Sequence, residues 1–69
     1  MNKYLIVIEK TENNFSAYSP DLMGCVATGK TQKDVIRNKH RAIEMHLEGL
    51  KEDGIPIPEP HACVDYVEI

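Results

Sequence analysis

The sequence predicts an α+β fold of order β-β-β-α-β: a three-stranded antiparallel meander, one long helix and a fourth strand. Three observations carry this expectation. Short β-branched and aromatic runs, separated by turn residues, fill the first 28 positions. One amphipathic stretch follows, over about 32–52. Beyond it, three prolines at alternate positions precede another run with strand chemistry.

Residues 4–8, YLIVI, sit between Lys3 and Glu9 and form the first strand. The cluster Thr11, Glu12, Asn13, Asn14 is a turn, because short polar side chains bond their own local backbone. Residues 15–19, FSAYS, return as the second strand of a hairpin, and Pro20 stops it, having no N–H for a ladder. Residues 25–28, CVAT, make a short third strand. Thr31 then caps a helix, with Asp34 three residues on in a capping-box position.

At 100° per residue, Val35, Ile36, Ala42, Ile43, Leu47 and Leu50 share an arc of roughly 140°. Lys33, Arg37, Arg41, Glu44, Glu48, Lys51 and Glu52 lie opposite. Two polar residues fall inside the apolar arc. Lys39 is expected to pack its stem and carry its ammonium to water, and His46 to sit at the core edge. Asp53-Gly54 supplies the stop, and Pro56, Pro58 and Pro60 forbid continuation. Residues 55–60 are an extended connector, and residues 62–69, ACVDYVEI, the fourth strand. The chain reads as one domain, residues 1–69, without internal repeats.

This layout leaves a packing problem. In the first strand Tyr4, Ile6 and Ile8 point one way and Leu5 and Val7 the other, yet one helix covers only one sheet face. The second face calls for another copy or a partner. Size points the same way: a chain of 69 residues buries only about 60% of its unfolded surface and often needs a metal, a disulfide or oligomerisation.

Composition narrows the function. A hydrophobic fraction of 42% and a charged fraction of 28% suit a soluble globular protein. The opening MNKYLIVIEK meets charge again at Glu9, too early for a secretory leader, and no stretch is long enough to span a membrane. Two cysteines are too few for a disulfide scaffold, so a cytoplasmic location is expected. A net charge of −3 argues against an autonomous nucleic-acid binder. Its distribution is uneven. Residues 1–43 hold seven Lys/Arg against four Asp/Glu, whereas residues 44–69 hold one against seven, which suits a basic protein partner.

Several chemistries can be weighed. Residues 24–31, GCVATGKT, match the P-loop spacing literally, but a strand occupies the supposed loop and the chain lacks room for a nucleotide-binding sheet. Cys25, His61 and Cys63, with His40 or His46, have ligand chemistry without zinc-knuckle spacing. Cys25 has no base placed beside it by any motif. Glu9, Asp21 and Asp65 would make a magnesium cluster only if the strands converged. No catalytic residue, metal or cofactor is therefore expected. Glu44, Glu48 and Glu52 are the candidate partner-binding residues: an i, i+4, i+8 acidic row whose mutual repulsion a solvated face tolerates and a cationic partner would relieve.

Two longer stretches are more specific. Residues 18–25, YSPDLMGC, lead through Thr28-Gly-Lys-Thr31 into the helix, and residues 47–60 read LEGLKEDGIPIPEP. Together they resemble the HicB family of antitoxins, with its P-D-L-P-G-C turn, T-x-G-x-T step and L-E-G-L-x-E-D-G-x-P-I-P-x-P ending. The chain departs from that pattern at Met23, where a second proline is usual, and at Gln32, Lys39 and His46 on the helix. The resemblance implies a partial ribonuclease H-like fold without catalytic carboxylates. It also implies binding and occlusion of HicA, a small basic mRNA-cleaving toxin with a double-stranded-RNA-binding-like fold and a catalytic histidine. A C-terminal DNA-binding segment, common in the family, is not expected here, so neither is direct DNA binding. Self-association through the sheet or its edges is. The alternative is an orphan homo-oligomeric binding domain without a toxin.

Overall fold

The computed structural model describes residues 3–69. Met1 and Asn2, part of the stretch weighed as a leader, lie outside the described residues. The order is β1 (Val7–Lys10), β2 (Phe15–Ser19), β3 (Leu22–Gly29) and α1 (Gln32–Glu52). The three strands form one antiparallel sheet with β2 in the middle, and α1 packs mainly on β3 and more lightly on β2.

The β1–β2 turn is built by Thr11. Its hydroxyl accepts from the N–H groups of Asn13 and Asn14 at 3.3 and 3.0 Å, and its own N–H donates to the Asn14 carbonyl at 2.8 Å. This sets the register Val7↔Tyr18 through Lys10↔Phe15. The first strand therefore runs Val7–Lys10 and not residues 4–8. Hydropathy marked what is shielded, whereas pairing decides what is a strand; Pro20, which ends β2, falls opposite Leu5 in this register, so Tyr4 and Leu5 face no strand.

β3 begins three residues earlier than the apolar run predicts, at Leu22. The register passes from Tyr18↔Val26 directly to Ser19↔Leu22, leaving Met23, Gly24 and Cys25 without partners on β2. Gly24 permits this bulge by adopting φ +77°, a left-handed conformation that side chains with a Cβ resist.

The helix matches its sequence limits. Thr31 is the N-cap, and its hydroxyl accepts from the Asp34 N–H at 3.0 Å. Asp34 does not reach back to close the box; it pairs with Arg37 at 3.1 Å, an exposed contact of small energetic value. At the other end Gly54 turns to φ +70°. The N–H groups of Gly54 and Ile55 donate to Lys51 and Leu50 carbonyls at 3.1 and 2.8 Å, a Schellman closure.

Ala17, Leu22, Cys25 and Val35 form the buried apolar centre. Lys39 lies among them, with no exposed surface, and its ammonium donates to the Cys25 carbonyl. The expectation that it reaches water is thus corrected. The bulge strips Cys25 of a β2 partner, and a buried carbonyl needs a donor, which the lysine supplies. Ser19 is also buried, and its hydroxyl has no partner among the described residues.

The fourth strand is not formed. Residues 62–69 belong to no sheet, and Val64, Tyr66, Val67 and Ile69 are exposed. A strand exists only as a paired ladder, and alternation in a sequence supplies propensity without a partner. Two long-range hydrogen bonds hold the start of this segment and the connector before it: the Ala62 N–H donates to the Asp21 carboxylate at 3.2 Å, and the Tyr4 hydroxyl donates to the Pro58 carbonyl at 2.6 Å.

Candidate protein-binding surface

Cross-strand neighbours share a face, so the register sorts the sheet. Ile8, Ala17 and Ala27 lie side by side on the sheet face that α1 packs against at β2 and β3. Val7, Tyr18 and Val26 form a row across the opposite face, where Tyr18 is 43% and Val26 60% exposed. The expected uncovered second face is present, though built from fewer first-strand residues than the alternation of residues 4–8 suggests.

The helix presents a second surface. Only Val35 and Lys39 are fully buried along it, whereas Ile43 and Leu47 are half-buried and Ile36 is exposed. The helix thus seats on one border of its apolar arc. The other border turns sideways. There Tyr4, Ile43, Leu47 and Ile57 line an apolar groove of about 450 Å³, rimmed by His40, Glu44 and Lys51. The proline connector makes its far wall, held by the Tyr4–Pro58 hydrogen bond.

The acidic row flanks this groove. His40 Nδ1 lies 3.2 Å from a Glu44 carboxylate oxygen, with both side chains largely in solvent. Glu44 and Glu48 line one shallow depression with Leu47 and Lys51; Glu52, on the last helical residue, is exposed but outside it. The three carboxylates are therefore accessible, and two adjoin apolar surface. Charge beside an apolar groove is the composition of a protein–protein contact.

The other chemistries are not assembled. Residues 25–28 lie within β3 and Thr31 is a helix cap, so the Gly-Lys-Thr step is a strand-to-helix junction. Gly29 has a steric role there: a Cβ would stand 2.5 Å from the Val35 nitrogen. Cys25 is buried beneath the helix and Cys63 exposed in the tail. Among the described residues no three His, Cys, Asp or Glu side chains converge as a metal site, and no helix is long and apolar enough to cross a membrane. His46 is half-buried, beside Gly24, Cys25 and Met45. Sequence reasoning missed the groove: the apolar arc is wider than the sheet contact needs, but the connector that completes the far wall is placed only by the fold.

Comparison with known proteins agrees with this layout. Residues 4–68 match the family model described as the HicB_like antitoxin of bacterial toxin–antitoxin system. A UPF0150 protein of Helicobacter pylori is 47% identical over 49 residues, covering 71% of this chain and 68% of its own length. A UPF0150 protein of Thermoplasma acidophilum is 36% identical over 61 residues, covering 87% and 88%. An uncharacterised 14.9 kDa protein of Haemophilus phage HP1 is 33% identical over 64 residues, 93% of this chain but 48% of the phage protein, so the chain spans about half of that relative. Among solved structures, a chain of a HicA3 and HicB3 toxin–antitoxin complex superposes with a TM-score of 0.74 and 38% identity, over 87% of this chain and 70% of that one.

Proposed function

The chain belongs to the HicB-like antitoxin family, and from that premise we propose that it binds and occludes a small, basic, HicA-type mRNA-cleaving toxin in the cytoplasm. The observation that carries the proposal is the groove beside α1, where Ile43 and Leu47 offer apolar contact and Glu44 and Glu48 adjoin them. With Glu52, the carboxylates would draw in a cationic partner and fix its orientation, while the groove supplies the area that holds it. Inhibition is masking: the toxin's RNA-binding surface is covered, and no bond is made or broken by this chain. The 69 residues act as one toxin-binding domain, and operator DNA is bound by none of them.

Self-association belongs to the same reading. The Val7–Tyr18–Val26 row, exposed at Tyr18 and Val26, favours it, since a core of four buried apolar residues among the described ones is small even for this length. The same row supports the alternative, an orphan homo-oligomer without a toxin.

The test looks first for a small basic protein encoded beside this chain, whose absence would favour the orphan reading, and then measures RNA cleavage by that protein as the chain is titrated in. Cleavage is expected to stop near one equivalent. The triple variant Glu44→Lys, Glu48→Lys, Glu52→Lys should need on the order of tenfold more protein, with weaker salt dependence. Cleavage untouched by a molar excess of the parent chain would leave the orphan reading standing.

A further inference from the structure

We propose that residues 62–69 are a strand exchanged between two copies of this chain, each tail pairing with the free edge of β1 in the other copy. The inference deepens the self-association reading above and rests on it.

The tail is the most strand-like segment that lies outside the sheet. Cys63, Asp65, Val67 and Ile69 alternate with Val64, Tyr66 and Glu68, and Tyr66 and Val67 are 92% and 83% exposed. From Cys63 onward the one backbone hydrogen bond among the described residues is local, from the Tyr66 N–H to the neighbouring Asp65 carboxylate at 2.7 Å. A segment rich in β-branched and aromatic side chains, with its backbone unpaired, has the donor and acceptor rows of a strand without a neighbour.

The sheet has two edges, and they differ. Along β3, helix side chains already take carbonyls: Asn38 donates to Thr28 at 2.9 Å and Lys39 to Cys25. Along β1, no backbone group of Val7–Lys10 is bonded outside the β1–β2 ladder among the described residues. Residues 4–6 lead into that edge half-buried and outside the sheet. The open edge of β1 itself runs through four residues, enough to pair with part of the tail. Charge agrees as well: Lys3 and Lys10 bracket the edge, and Asp65 and Glu68 lie in the tail.

A second copy fits better than an unrelated partner because one chain carries both halves of the contact. An unpaired strand and an unpaired edge on the same molecule close reciprocally under a two-fold axis and leave no open end. The exchange also moves Val64, Tyr66 and Val67 out of water and extends the apolar row past Val7. The acidic helix surface lies on the far layer and stays available to a toxin.

The test uses the full chain. Sedimentation equilibrium should give twice the 7.8 kDa chain mass. Tyr66→Pro and Val67→Pro are then compared. Successive N–H groups of a strand point to opposite sides, so at least one proline must remove a ladder donor. At least one variant should fall to the monomer mass, with its helical circular dichroism kept. A sample mixing isotope-labelled and unlabelled copies should show nuclear Overhauser contacts between the tail of one and β1 of the other. A parent dimer that both prolines leave intact would overturn the exchange and spare self-association; a monomeric parent would end both. Tail-to-β1 contacts found only within one copy would overturn the exchange in favour of an internal strand.

Discussion

Glycine-to-alanine substitution should have opposite signs at two positions of this chain. At Gly29, a new Cβ would stand 2.5 Å from the Val35 nitrogen and 2.9 Å from the Asp34 carbonyl carbon and the Val35 Cα. Ordinary contact begins near 3.4 Å, so the first turn of α1 must move away from β3 by roughly 1 Å. The obstructing atoms are backbone, and they belong to the turn that Thr31 caps and that the Val35-to-Thr31 hydrogen bond at 3.0 Å closes. Overpacking of this kind costs about 1–3 kcal/mol, and a rigid neighbour puts Gly29→Ala near the upper figure. For a domain of this size that lowers Tm by about 12–24 °C. Gly49 lies inside the same helix with nothing within 4 Å of its added Cβ. There alanine removes a backbone-entropy penalty of about 0.5–1 kcal/mol, and Gly49→Ala should raise Tm by about 2–8 °C. Thermal melts followed by far-ultraviolet circular dichroism read both. A Gly29→Ala melt within about 2 °C of the parent, or a shift of the same sign at both positions, would refute the close approach of strand and helix.

Two further substitutions probe the buried polar groups. Lys39→Ala removes both the packed stem and the donor to the Cys25 carbonyl and should cost about 2–4 kcal/mol, whereas Lys39→Met keeps the stem and should retain at least about 1 kcal/mol of that; equal losses in urea titrations would show that the stem packs against nothing. Ser19→Ala deletes a buried hydroxyl with no partner among the described residues and should be neutral or stabilising by up to about 1 kcal/mol, so a clear loss in the same titration would reveal a hydrogen bond to water.

The helix and β2 were legible to the residue because both are delimited by local chemistry: a threonine cap, an Asp-Gly stop, an Asn-rich turn and a proline. β1 was displaced because its limits depend on where β2 ends, a property of another segment. Lys39 was misread for a similar reason. Hydropathy places a charge outward, and only the bulge at Met23–Cys25 creates the orphan carbonyl that draws the ammonium in. The acidic row was visible in the sequence, but the apolar groove beside it was not. Its far wall is the proline connector, brought there by a hydrogen bond between residues far apart in the chain, Tyr4 and Pro58. The strand character of residues 62–69 was visible too, and it misled, since alternation says nothing about whether an edge is within reach.

The order of packing has a kinetic consequence. β1 meets β2, β2 meets β3 and β3 meets α1, so each principal contact joins neighbours along the chain. Short loop closures of this kind allow folding on roughly the millisecond scale, with each element ready to dock as soon as the next has formed. The two hydrogen bonds that tie down the C-terminal segment, Tyr4 to Pro58 and Asp21 to Ala62, span most of the sequence and have few packed atoms behind them. They form last and open first. The segment after the helix therefore exchanges its surroundings while the sheet and helix stay folded, and in a separated copy amide hydrogens from Cys63 onward are the first to trade with solvent.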